Sequence, residues 1–143
     1  MIKTIEVEEG RLVSFKASAF SPIAYNMIYP NGDFIGDMKV LEETNRDMGK
    51  DDEGKKDKAL PLPVYQYFIR IAYLFHYQAL APSPAQTDEQ RKFLLEYPDP
   101  WSWIDTFDTF SIYTILPEIM ELYLSNEIQK SQAKKAVPAP PVK

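Results

Sequence analysis

The chain has 143 residues, 45% of them hydrophobic and 13% aromatic, so it is long and apolar enough to bury the core of one domain. Its formal net charge of -5 disfavours nucleic acid as a partner, because binding to phosphates requires a basic surface. It has no cysteine, which excludes disulfides and a thiolate nucleophile or metal site and suits a reducing cytoplasm.

The first segment predicts a β-hairpin. Apolar and polar residues alternate from Thr4 to Ser18 on both sides of a turn at 8–10. Gly10 can supply the positive φ that a tight hairpin turn favours. Acids and bases are mixed over 1–16, so a signal peptide is not expected. The apolar side chains expected to point one way are Ile5 and Val7 before the turn and Val13 and Phe15 after it.

Two helices are predicted next. Ser21 and Pro22 suit the N-cap and first position of a helix that ends at the turn 30–32. Asp33 can cap a second helix over about 34–45. The side chains expected to face the core from these two helices are Ile23, Met27, Phe34, Met38 and Leu41.

Two segments are expected outside the packed core. Residues 42–58 hold seven acids and five bases and almost nothing apolar, which predicts a mobile charged loop at about 44–60. A charged recruitment patch is the alternative for this loop. Residues 131–143 are basic and rich in Ala and Pro, which predicts a flexible tail with a polyproline tendency. A single globular domain is therefore expected over 1–130.

The strongest helix prediction covers 61–80. Most of its circumference is apolar, so we expect it at the centre of the core. Its one polar seam consists of Gln66, Arg70, Tyr73 and Tyr77. Arg70 lies mid-way along the run, where a bilayer would impose at least ~2.5 kcal/mol, so a membrane-spanning helix is disfavoured.

Two short capped helices are predicted after it. Thr87 or Asp88 begins a helix that ends at Leu95, and Asp99 caps another with Pro100 in its first turn. The residues expected to share one face of the latter are Trp101, Ile104 and Phe107. The predicted fold class is therefore α+β, mainly α, with an N-terminal hairpin, about five to six helices and a disordered C-terminal tail.

Pro117 predicts a corner in the C-terminal segment. A proline inside a helix removes one backbone hydrogen bond and costs ~3 kcal/mol or more, whereas in the first turn it costs little. We therefore predict a short piece over 111–116 and a separate helix that begins at Pro117. The apolar stripe of this last helix is expected to contain Ile119, Leu122 and Tyr123.

No motif predicts catalysis, a metal or a cofactor. His76 is the only histidine, so a hydrogen-bonded helix residue is favoured over a metal ligand. The pairs Asp105–Asp108 and Glu118–Glu121 have helical spacing, but nothing nearby separates their pKa values as a catalytic pair requires. A solvated acidic face is favoured, and a small hydrolase that uses Asp105 or Asp108 is an alternative.

The aromatic content is instead typical of a helical protein-binding module. Nine Tyr, eight Phe and two Trp occur mostly after residue 65, and Tyr and Trp are effective interface anchors. The residues predicted to bind a partner lie towards the C-terminus and are Trp101, Trp103, Phe107, Phe110, Tyr113 and Tyr123.

Three stretches resemble the tail assembly chaperones of long-tailed, siphovirus-type bacteriophages and prophages of Gram-positive bacteria. "LVSFKASAFSPIAYNMIYPNGDFIGDM" is similar to the family's opening, and "FIRIAYLFHYQAL" to its central helix. "WSWIDTFDTFSIYTILPEIMELYLSN" carries the family pattern F-x-x-F-x-I-Y-x-[IV]-L-P-E-I-x-E-L after a tryptophan-containing segment. The resemblance covers most of Val13 to Ile128. It departs at Asn26, where the family pattern has an arginine near Tyr25.

The resemblance implies a non-enzymatic chaperone in the host bacterial cytoplasm that is absent from the mature virion. Such proteins bind the tape measure protein, keep it soluble and recruit the major tail tube protein, without a nucleic acid or membrane partner. Family members often have a longer form made by programmed frameshifting, which would be a further partner. Lys134 and Lys135 are compatible with a slippery adenine run, although a plain basic tail is favoured. The alternative function is a cellular helical adaptor or regulatory subunit without a phage role.

Overall fold

The computed structural model describes residues 1–49, 60–81 and 86–136, with the backbone alone from 126 to 136. This part of the chain forms one antiparallel hairpin and six helices, which confirms the predicted α+β, mainly α fold. The elements are β1 Ile2–Glu8, β2 Arg11–Lys16, α1 Ser21–Ile28, α2 Phe34–Gly49, α3 Leu62–Ala79, α4 Asp88–Glu96, α5 Pro100–Ile104 and α6 Ile112–Ala136.

The hairpin has the predicted turn, and four of its apolar side chains face the core. Gly10 adopts a φ of +78°, and its N–H donates to the Oε2 atom of Glu6 over 2.9 Å. The four apolar side chains that the alternation points one way are all buried: Ile5, Val7, Val13 and Phe15. Since β2 packs directly on α3, these side chains form one layer of the core.

Helix α3 is the centre of the fold, as predicted. It packs against β2 and against each of the other helices. Its buried apolar residues are Val64, Phe68, Ile71, Ala72, Tyr73, Leu74 and Phe75. The polar seam is narrower than predicted, because Tyr73 is only 2% exposed whereas Gln66 and Arg70 are partly exposed.

The predicted charged loop at 44–60 is wrong in its first part. Helix α2 continues to Gly49, and Met48 in its last turn packs against the core. Thr44 is helical as well, and its hydroxyl donates to the carbonyl of Val40 over 2.9 Å. Met48 is the only hydrophobic residue in 42–58, and its packing against the core favours continuation of the helix into this polar segment. Residues 50–59 lie outside the described residues.

The predicted corner at Pro117 is also wrong, since α6 runs without a break through this residue. Pro117 is exposed, and it lacks an N–H to donate to the carbonyl of Tyr113. The side chains on both sides of it are fully buried, namely Ile115, Leu116, Ile119 and Met120. Burial of these two turns offsets the loss of one hydrogen bond. Helix α6 ends at Ala136, inside the predicted tail at 131–143, and 137–143 lies outside the described residues.

One ion-pair cluster ties the hairpin to α6. The ammonium group of Lys3 in β1 pairs with the carboxylates of Glu118 and Glu121. Burial lowers the pKa of Lys3, but hydrogen bonds and the charges of the two carboxylates outweigh it and raise this pKa above its usual value. The carboxylate pair predicted as a solvated acidic face therefore anchors β1.

Candidate protein-binding groove

The aromatic residues predicted to bind a partner lie largely in the core. Trp103 of α5 is 3% exposed, and its ring stacks on His76 with centroids 5.2 Å apart and planes 10° apart. We call this packed set of rings the aromatic cluster; it consists of Tyr73, His76, Phe93, Trp103, Phe107 and Phe110. A partner could reach Trp103 or Phe107 only if the fold opened.

The other predicted aromatics do not form one surface. Trp101 is 42% exposed, because α5 directs Trp103 rather than Trp101 into the core. Tyr113 borders a small cavity at the end of α2, and Tyr123 packs its ring against Phe34. In α6, Leu116 and Ile119 are core residues. Lys134 and Lys135 belong to α6, in the part of the helix for which only the backbone is described.

His76 is the hydrogen-bonded helix residue that the sequence predicts. Its Nδ1–H donates to the carbonyl of Ser14 in β2 over 2.9 Å, since a carbonyl only accepts. Burial lowers the pKa of His76 below its usual value, against the effect of this hydrogen bond, and so favours the neutral ring. Among the described residues, no group of three or more His, Cys, Asp or Glu side chains could hold a metal ion.

Helix α1 faces the opposite way from the prediction. Ser21 is its first helical residue rather than its N-cap, and the hydroxyl of Ser21 donates to the buried side chain of Gln78 in α3 over 2.6 Å. The hydroxyl of Tyr25 donates to Asp37 over 2.6 Å. These two bonds fix the inner face of α1, so Met27 is 70% exposed and Ile23 54% exposed.

Helix α4 is held against α3 at both ends. At its start, Thr87 and Gln90 form a capping box, and the amide of Gln90 also donates to the carbonyl of Tyr77 over 2.8 Å. At its end, the hydroxyl of Tyr73 donates to the carbonyl of Tyr97 over 2.6 Å. Helix α4 is thus fixed to the same stretch of α3 that anchors α1.

An open groove lies between these two helices, above α3. It has a volume of about 630 Å³. We call it the α1–α4 groove; it is lined by Phe20, Ala24, Met27, Ile28, Tyr29, Tyr73, Tyr77, Gln86, Leu94, Pro98, Asp99 and Pro100. A mostly apolar cleft with a few polar groups has the composition of a binding site.

Two polar groups stand out in the α1–α4 groove. The hydroxyl of Tyr29 is buried and has no hydrogen-bond partner in the described part of the chain. Burial raises the pKa of Tyr29 to about 12, with the cation of Arg70 opposing the rise and Asp99 adding to it. The carboxylate of Asp99 accepts a hydrogen bond from the N–H of Ser102 and thereby caps α5, as predicted.

A smaller cavity of about 290 Å³ adjoins the groove at Phe20 and Tyr77. Its polar lining is already engaged in structural contacts. Gln78 donates to Ser18, and the backbone N–H of Ser18 donates to the hydroxyl of Ser21. This cavity therefore supports the anchoring of α1 and is a weaker candidate for a ligand.

Comparison of the chain with protein-family models, with curated proteins and with solved structures finds no match. Over the described ranges, no helix combines the length and apolar character needed to cross a membrane. The candidate site accordingly stands on its geometry alone. Sequence patterns missed it because it is formed by the exposed side of α1, which the apolar spacing of Ile23 and Met27 had assigned to the core.

Proposed function

We propose that this protein is a non-enzymatic tail assembly chaperone of a long-tailed bacteriophage or prophage. It binds apolar helical segments of the tape measure protein in the host bacterial cytoplasm, keeps that protein soluble, recruits the major tail tube protein and is absent from the mature virion. The sequence resemblance supports the phage assignment. The observation that carries the binding role is the α1–α4 groove, which is lined by the exposed side chains of Met27 and Ile28.

The chemistry of the groove suits such a client. A very long helical protein exposes apolar faces before assembly, and contiguous apolar patches in water lead to aggregation. Amphipathic helices are commonly bound by laying their apolar face into an apolar groove. Methionine suits this task because its unbranched, polarizable side chain adapts to different partners, and Met27 is more exposed than Ile28.

The second candidate is a cellular helical adaptor or regulatory subunit, which the same groove would also serve. Gene neighbourhood separates the two candidates. A tail tube gene upstream and a very long coiled-coil-rich gene downstream favour the phage role. Codons for Lys134 and Lys135 that form part of a slippery heptamer would support a longer frameshifted form, and codons that form none would end that part of the proposal.

The experiment is co-expression of this chain, with and without a frameshifted form, beside the neighbouring tape measure gene. We expect an otherwise insoluble tape measure protein to become soluble and to co-purify with the chain. Expression of the tape measure protein with an unrelated acidic helical protein is the control for a general effect of charge. An insoluble tape measure protein that does not associate in any combination would contradict the proposal.

A further inference from the structure

We infer that the α1–α4 groove binds an amphipathic helix whose apolar face is flanked by Lys or Arg on the side that meets α4 and Asp99. This inference rests on the proposed function and specifies which segments of a helical client the groove selects. It commits to a basic partner helix rather than to a second copy of the chain.

The two walls of the groove differ in charge. The α1 wall, Ser21–Ile28, contains no charged residue. On the opposite side, the lining contains one charged residue, Asp99. Outside the lining, α4 also carries Asp88, Glu89 and Glu96 against Arg91 and Lys92. Arg91 pairs with Asp88 and donates to the carbonyl of Gln86, so the charges of Arg91 and Asp88 offset each other and the remaining charge beside the groove is acidic. An occupant with cations along one flank complements this arrangement.

The groove also leaves polar capacity for an occupant. Asp99 lines the groove, and capping of Ser102 uses one of its carboxylate oxygens, Oδ1. A carboxylate accepts several hydrogen bonds, so Asp99 can still accept one from a Lys or Arg. The buried Tyr29 hydroxyl has no partner in the described part of the chain, and an acceptor group of the bound helix could satisfy it after a small shift.

Charge disfavours a second copy of the chain as the occupant. The chain carries a net charge of -5, so two copies repel each other before their apolar walls meet. A basic helix is attracted by the same field. The exposed apolar side chains of α1 then supply the burial that holds it.

The test uses two synthetic amphipathic peptides of about 18 residues, which is about five helical turns. Both have a leucine face; one has Lys on its flanks and the other has Glu. Fluorescence anisotropy would measure the Kd of each peptide for the full chain. We expect the Lys peptide to bind at least about fivefold more tightly than the Glu peptide, and this preference to disappear at about 1 M salt.

Matched variants locate the site. Met27→Ser should weaken binding of the Lys peptide by about tenfold, whereas Leu12→Ser, at a similarly exposed apolar residue on the hairpin, should leave it unchanged. Asp99→Asn keeps an N-cap for α5. It should raise the Kd of the Lys peptide about threefold and leave the Kd of the Glu peptide unchanged. Glu9→Gln, which removes an exposed carboxylate from the hairpin turn, is its control.

Three outcomes would overturn the inference. Equal affinities for the two peptides would exclude a basic flank, and equal losses in Met27→Ser and Leu12→Ser would exclude the groove. Sedimentation that shows self-association in wild type and a monomer in Met27→Ser would assign the groove to a second copy. If the peptides show no such selectivity but the tape measure protein becomes soluble on co-expression, the groove is not the binding site and the proposed function still stands. Selective peptide binding without solubilisation contradicts the proposed function instead.

Discussion

The aromatic cluster and the α1–α4 groove meet at Tyr73, and they differ in how they are covered. On one side, the ring of Tyr73 packs against Phe93 and Trp103 inside the cluster. On the other side, Tyr73 lines an open groove beside the exposed side chain of Met27. The same helix, α3, thus has one aromatic surface that the chain closes and one that it leaves accessible.

Polar contacts explain why the aromatic cluster is covered and the α1–α4 groove is open. Over the cluster, the guanidinium of Arg11 lies 3.6 Å from the ring centroid of Phe107 and donates to the carbonyl of Thr106 over 2.8 Å. Glu8 accepts from the N–H groups of Asp108 and Thr109 over 3.0 and 2.9 Å. These bonds hold the segment after α5 across the rings. At the groove, the corresponding bonds fix α1 and α4 to α3 and leave the space between them open.

The largest expected effect is on the closed side. Trp103→Ala removes a fully packed ring and should lower the free energy of unfolding by about 3–5 kcal/mol. Trp101→Ala, two residues away on the exposed face of α5, should cost at most about 1 kcal/mol. Urea unfolding followed by circular dichroism measures both. Similar losses in the two variants would mean that the cluster does not support the fold.

The intermediate effect compares a tyrosine on the inner face of α1, Tyr25, with Tyr29 of the groove. Tyr25→Phe removes the donor to the buried carboxylate of Asp37 and should cost about 1.5–3 kcal/mol, because a hydrogen bond to a charged group is lost. Tyr29→Phe removes a hydroxyl without a partner in the described part of the chain and should be neutral within about 0.5 kcal/mol. A loss in Tyr29→Phe as large as in Tyr25→Phe would show that this hydroxyl is satisfied and not available to an occupant.

Local signals predicted the parts of the fold that depend on local chemistry. Gly10, Asp33 and Thr87 act as their residue types indicate, at a hairpin turn and at two helix N-caps. The central position of α3 also follows from its own apolar circumference. Ser21 is the exception, because a buried hydrogen bond to Gln78, distant in sequence, outweighs its capping role.

The orientation of the short helices could not be predicted. Helix α1 has eight residues and α5 has five, so each presents too few apolar positions to define one face. In α1 the small side chain of Ala24 is buried while the larger Ile23 is exposed. The groove and the burial of Trp103 both depend on how these short helices are oriented, which contacts with the rest of the fold determine. Neither could therefore be predicted from the sequence.

The smallest expected effect is a pH dependence confined to the closed side, where the only histidine lies. Burial lowers the pKa of His76, with the nearby charge of Arg11 acting in the same direction, so the unfolded chain binds a proton that the folded chain resists. Stability should be insensitive to this group above pH ~6.5 and fall below it by at most about 1.4 kcal/mol per pH unit. His76→Phe keeps an aromatic ring against Trp103 and cannot be protonated. Urea unfolding between pH 7 and 5 should show that the free energy of unfolding depends less steeply on pH in this variant, whatever its absolute stability. Equal slopes in wild type and variant would mean that the aromatic cluster tolerates an imidazolium.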